Sequence, residues 1–190
     1  MNFLAHIALS GNDKEIAVGN LIADTILPKE RKLLNNKMMQ GVKMHHAIDT
    51  FTDAHPSFTN TTRLGREILK KYAPVATDVF FDHFLAVHFQ KYHKQELSTF
   101  SNEFYVVLRE YEKFLPQRAQ ILIHHLVKND WLNMYKTKEG LNIILTQMSR
   151  RTKFESNLNN AILVLNENYT EIENDFVKLY PQLIDLCSVF

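Results

Sequence analysis

Histidine and aspartate recur at helical spacing in Met44–Pro56, which reads M-H-H-A-I-D-T-F-T-D-A-H-P. The stretch has no internal glycine or proline before Pro56 and is expected to be helical. His45 and Asp49 then share one face, about 6 Å apart at Cβ, with Asp53 one turn further on. An imidazole beside a carboxylate suits a divalent metal, because both offer lone pairs at neutral pH and the carboxylate offsets part of the charge. An amphipathic helix with a polar face would carry the same residues, so the pair gains meaning only with further donors.

Further donors lie elsewhere in the chain. The run D-V-F-F-D-H-F-L-A-V-H puts Asp78 and Asp82 on one helix face and His83 about 100° round from Asp82. Phe80, Phe81, Phe84, Leu85 and Val87 leave little of that helix polar, and unpaired carboxylates near a buried surface are expensive. A metal or a histidine partner would offset the cost. Asp24 follows G-N-L-I-A near the end of a second helix, where the macrodipole disfavours a carboxylate that has no cation to meet. His6 stands beside the apolar stripe Phe3, Leu4 and Ile7. His88, His93, His124 and His125 read as packing or surface residues.

These residues need helices to position them. Gly11 should end a first helix, and Asn12 or Asp13 should cap a second that runs toward Pro28. Lys29–Lys32 forms a short basic linker, and a third helix covers Asn35 to Asp53. After Pro56 a fourth begins at Ser57 or Thr59, with Arg63, Arg66 and Lys70 on one face, joined by Lys71, as a docking face for an acidic protein. Ala73–Pro74 precedes a fifth helix over Val75–Phe89, and a sixth spans Leu97–Leu115. Another helix covers Lys138–Met148, followed by Arg150 and Arg151, which can bind a phosphate bidentately. A last long helix starts near Phe154 and repeats apolar residues at three- and four-residue steps through Leu179.

Only five glycines and five prolines occur in 190 residues, few for a multi-strand sandwich, while 45% apolar residues with 13 Phe and 7 Tyr support a packed core. The expectation is an all-α, single-domain helical bundle over residues 1–190. A net charge of +1 argues against a general nucleic-acid binder. The single Cys187 rules out an intrachain disulfide and a thiolate-rich metal site. No secretory leader and no membrane-spanning run is evident, so a cytoplasmic protein with no membrane partner is expected.

A bundle core can gather His6, Asp24, His45, Asp49, Asp82 and His83 from separate helices. Nucleophile elbow, P-loop and Gly-rich dinucleotide turn are all missing. Mixed His and Asp ligands point to Mn, Mg, Fe or Zn acting as a Lewis acid, and phosphoester hydrolysis follows from that chemistry.

The blocks M-N-F-L-A-H, G-N-L-I-A-D, M-H-H-A-I-D-T-F-T-D-A-H-P, D-H-F-L, W-L-N-M-Y, S-R-R and D-F-V-K-L-Y-P, in order from Met1 to about Pro181, resemble the bacterial acyl carrier protein phosphodiesterase family. That family is similar to the HD-type metal-dependent phosphohydrolases, with its ligands in an atypical order. The resemblance implies an HD-like helical fold and removal of the 4′-phosphopantetheine arm from holo-acyl carrier protein with a divalent metal, manganese first. Carried over by position, it implies His6, Asp24, His45, Asp49 and Asp82 as metal ligands. His83 would complete the shell or protonate the leaving oxygen, and Arg150 or Arg151 would stabilise the phosphoryl charge. The family often has Arg after the first histidine of the H-x-x-I-D block; here that residue is His46. The alternatives are an HD-like phosphohydrolase of nucleotides or other small phosphoesters, and a non-catalytic helical binding module.

Overall fold

The computed structural model describes residues 1–190, and every regular element in it is helical. In chain order the α-helices are α1 (Phe3–Leu9), α2 (Lys14–Ile22), α3 (Asn36–Ala54), α4 (Pro56–Leu69), α5 (Ala73–Val87), α6 (Phe89–Tyr92), α7 (Leu97–Tyr111), α8 (Gln117–Lys128), α9 (Trp131–Met134), α10 (Lys138–Arg151), α11 (Ala161–Glu167) and α12 (Tyr169–Cys187). The all-α expectation is met.

Most boundaries follow local chemistry. Gly11 takes a positive φ of 64° that lets the chain turn out of α1, and the Asp13 side chain accepts from the Glu15 and Ile16 N–H groups to start α2. Asn35 caps α3 through Met38 N–H at 2.9 Å. Prolines occupy the first turns of α4 and α5, where a missing N–H costs nothing. Both helices therefore begin slightly earlier than the sequence suggests, α4 with His55 as its cap and α5 at Ala73.

Three differences concern the expected elements. The segment after α2 winds into 3₁₀ turns at Ala23–Thr25 and Pro28–Leu33, so Asp24 sits on a turn and Lys29–Lys32 is not a plain linker. The last helix is divided at Asn168, which leaves helical geometry with φ −120° and ψ 24° while its side chain donates to Val164 O. The basic face of α4 also breaks: Lys70 closes the helix in a left-handed φ of 51°, and Lys71 Nζ rests 4.3 Å over the Phe154 ring. Only Arg63 and Arg66 remain as a pair on that helix.

Helix α5 is the centre of the fold. Val79 through Ala86 are all buried, so the helix has no wet face along its middle. It is packed by α1, α4, α10 and α12. Phe80, Phe81, Phe84, Phe176 and Tyr180 lie within one continuous apolar core. Pairs such as Phe84–Tyr169, with centroids 4.8 Å apart, meet edge to face.

The tightest crossing joins α2 to α3. A Cβ on Gly19 would fall 2.0 Å from Met38 O, and one on Gly41 would fall 2.1 Å from Ile16 O and 2.7 Å from Asn20 N. The two helices touch backbone to backbone, a separation that only glycine permits. This crossing brings Asn20 against His45.

Candidate metal centre

His45 and Asp49 are held in register by α3, as their spacing predicts, with His45 Nε2 3.1 Å from Asp49 Oδ2. Across the Gly19–Gly41 crossing, Asn20 O lies 2.8 Å from His45 Nδ1. A carbonyl only accepts, so Nδ1 carries a proton and Nε2 is the ring nitrogen turned to the carboxylates. Asp24, on its 3₁₀ turn, brings Oδ1 to 3.3 Å from the same Nε2. Although two carboxylate oxygens stand that close, buried Nε2 makes no well-directed hydrogen bond to either. A nitrogen among carboxylates but aligned with neither suits ligation of a cation between them.

His6 enters from α1. Its ring stacks on His45 with centroids 4.0 Å apart and 17° between planes, and its Nε2 is 3.2 Å from Asp49 Oδ1. Its Nδ1 is 2.9 Å from Asn20 Oδ1. The Asn20 amide nitrogen is already donating to His6 O and Ser10 Oγ, so Oδ1 is the acceptor and His6 Nδ1 the donor. One fully buried residue thus orients both histidines, His45 with its main-chain carbonyl and His6 with its side chain. Such outer partners fix ligand tautomer and direction.

Ligand atoms of His6, His45 and Asp49 lie within 4.8 Å of one another, and Asp24 adds a carboxylate at the mouth. Two imidazoles with one or two carboxylates form a mixed nitrogen and oxygen donor set suited to Mn, Fe or Zn once both rings are neutral. Without a metal the electrostatics treat the two rings differently. Burial pulls the His6 pKa down to about 4, keeping the ring neutral. Burial also opposes charge on His45, but Asp24 and Asp49 outweigh it and raise its pKa to about 9. The two histidines hold Asp49 ionised well below the usual carboxylate range against the opposing effect of its burial, and Asp24 is lowered chiefly by its contact with His45.

Asp82 and His83 do not join this group. The Asp82 carboxylate accepts N–H bonds from Asn2 at 3.0 Å and Leu4 at 2.7 Å, with Ala5 at 3.4 Å, closing the open N-terminus of α1. Burial pushes its pKa up to about 7, against the Met1 ammonium and these backbone donors, which favour the charged form. His83 points the other way: Nδ1 donates to Tyr135 O at 2.7 Å and Nε2 meets Tyr169 Oη at 3.0 Å. Both carry the sequence credentials of ligands, yet the packing of α5 against α1 and α12 has occupied them. Asp78 likewise pairs at 2.6 Å with the amino group of Met1, whose carbonyl is 3.2 Å from His6 Nε2. Arg150 and Arg151 end α10, and the Arg151 guanidinium lies 5.5 Å over the Trp131 ring.

The model of the family described as acyl carrier protein phosphodiesterase matches residues 1–183. The chain belongs to the acyl carrier protein phosphodiesterase family. Curated acyl carrier protein phosphodiesterases similar to it include those of Photorhabdus laumondii, 26% identical over 186 residues (97% of this chain and 94% of that protein), and Serratia proteamaculans, 28% over 185 residues (97% and 96%). The Escherichia coli O6:H1 protein is 28% identical over 193 residues, covering 99% of this chain and 98% of its own. No solved structure matches the chain.

Within this family member, the residue that sequence reasoning passed over is Asn20. Its signal was present in G-N-L-I-A-D, where a buried asparagine beside a glycine marks a close helix approach and a hydrogen-bonding task. Near the centre, Asp53, Thr59, Thr62, Arg63 and Arg66 line a recess of about 450 Å³, and Asp53 stands one turn beyond Asp49 on α3. His46 turns its ring edge-on to His45 at 5.8 Å and is exposed. No helix is long and apolar enough to cross a membrane.

Proposed function

We propose that this protein hydrolyses the phosphodiester joining 4′-phosphopantetheine to a serine of holo-acyl carrier protein, using a divalent cation, manganese first, at His6, His45 and Asp49 with Asp24. The observation that carries this reading is the convergence of two tautomer-fixed imidazoles and Asp49 in a chain that matches the family along nearly its whole length. The continuous core supports reading the chain as one domain.

A bound cation at these donors would supply Lewis acidity toward a phosphoryl oxygen and lower the pKa of an attacking water. The chain's own part begins with Asn20, which holds both imidazoles with Nε2 presented to the centre. Asp49 spans the two histidines, one oxygen to each, and fixes their spacing. Asp24, the exposed member, closes the mouth of the site with Oδ1 3.3 Å from His45 Nε2. Arg63 and Arg66, beside Asp53, offer an acidic carrier protein a cationic edge next to the centre.

Incubating the protein with Mn²⁺ and holo-acyl carrier protein tests the proposal by mass spectrometry. The expected result is conversion to the apo mass with release of 4′-phosphopantetheine. An intact holo mass after incubation with metal-loaded protein would overturn it, and turnover of nucleotides or other small phosphoesters alone would move the assignment to them.

A further inference from the structure

We infer that the apolar cavity between the N-terminal ends of α1 and α5 and the α8–α10 segment is the seat of the pantetheine arm, a subsite that deepens the reading above and rests on it. A phosphodiester has two sides. If an acidic protein docks on one, the other must carry a mostly neutral chain with a dimethylated carbon, two amides and a thiol, which needs its own groove.

The cavity holds about 290 Å³, close to the range of small-ligand sites. Its walls include Phe3, Val75, Leu122 and Ile144, surfaces for the dimethyl and methylene groups. Polar groups gather on one side, where Gln147, Arg151 and Thr152 line it. Trp131, also in the wall, is only 4% exposed and its indole N–H has no acceptor within the protein. A purely hydrocarbon chain offers nothing to Gln147, Arg151 and Thr152 at the wall, whereas the amides and hydroxyl of the arm can pair with them. The observations therefore favour the arm over an acyl tail.

Position supports the same occupant. Phe3, stacked on Trp131 at 5.9 Å, precedes His6 by one turn of α1, and Val75 precedes Asp78 by one turn of α5. Met1 lies between the two helices, its carbonyl oxygen 3.2 Å from His6 Nε2 and its amino group paired with Asp78. Along α1 the cavity rim is thus about one helical turn, roughly 5 Å, from His6. The recess at Arg63 and Arg66 is mostly polar, with Phe58 and Pro74 its apolar lining, and the grooves near Tyr92 and His93 lie at the C-terminal end of α1, from Ala8 onward.

Trp131 is the only tryptophan, so its emission reports this cavity directly. D-pantetheine, which lacks the phosphate, is titrated into the chelator-treated full-length protein, with octanoate titrated in parallel. The expected result is a saturable emission change with pantetheine. Val75→Phe and Met148→Phe, which fill the cavity from two sides, should each weaken that response about tenfold. They should raise KM for holo-acyl carrier protein while leaving kcat and metal affinity within about twofold. Absence of a saturable change in the wild type, wild-type titration by whichever filling variant remains folded, or a response to octanoate alone would overturn the assignment. Release of the arm from carrier protein without an emission response would refute the cavity and leave the hydrolase reading standing. A response without release would do the reverse.

Discussion

The imidazoles of His6 and His45 lie face to face, 4.0 Å between centroids. The two rings titrate apart: burial, with repulsion from His45 adding to it, takes His6 down to about 4, while Asp24 and Asp49 overcome burial and raise His45 to about 9. A neutral pair is what a metal requires, and a metal resolves the conflict by replacing the one remaining proton.

That replacement should be measurable. In the metal-free protein the folded His45 pKa exceeds its ordinary 6.5. The stability it contributes is therefore fully present below about pH 6.5 and is lost as pH rises through about 9. At about pH 7.5, Mn²⁺ binding should release close to one proton, read as a calorimetric heat that changes with the ionisation enthalpy of the buffer. Equal heats in all buffers would show that His45 is already neutral.

Asn20→Leu removes the acceptor for His6 Nδ1 and the donor for Ser10, but keeps the main-chain carbonyl that holds His45. Metal affinity should fall about 10- to 100-fold in protein that remains folded, with Asn20→Asp, which retains an acceptor for His6, losing less. Titration with Mn²⁺ well below the melting temperature checks this, and wild-type affinity in Asn20→Leu would deny Asn20 its positioning role.

Gly41→Ala puts a methyl 2.1 Å from Ile16 O, a clash with backbone that no side-chain rotation relieves. The cost should be about 3 kcal/mol or more, with loss of metal binding as α2 and α3 part. Gly65→Ala, whose one close contact is the flexible Leu69 Cδ1 at 3.0 Å, with Ala73 Cβ and Val164 Cγ1 at an ordinary 3.7 Å, should stay within about 1 kcal/mol. Chemical denaturation of the two variants distinguishes a crossing that sets the site from a general intolerance of larger residues.

Asp82→Ala should cost about 2 kcal/mol, because it leaves main-chain donors at the start of α1 without their acceptor, while metal affinity stays within about twofold. Asp82→Asn, which retains one acceptor oxygen, should lose less stability. A collapse of metal binding in folded Asp82→Asn would return this residue to the ligand set.

Paired reversal, Arg63→Glu with Arg66→Glu, should raise KM for holo-acyl carrier protein about tenfold at low salt with little change in kcat. Lys71→Glu should do less, since that ammonium sits over Phe154 rather than at the recess. Steady-state kinetics at two salt concentrations separate docking from chemistry.

What the sequence determined was local. Scarce glycine and proline with three- and four-residue apolar repeats specified helices, and four-residue spacing specified His45 with Asp49, because neighbours within one helix follow from its pitch alone. The family blocks were legible for the same reason, each being a short contiguous string. Which residues meet across helices was left to the tertiary structure. The Gly19–Gly41 contact brought Asn20 to His45, and the entry of α1 brought His6 onto the same ring, while Asp82, with credentials equal to those of Asp49, was drawn to the N-terminus of α1. A carboxylate's partner depends on which donors the packed helices place within 3 Å of it, and one-dimensional spacing contains that information only for residues on the same helix.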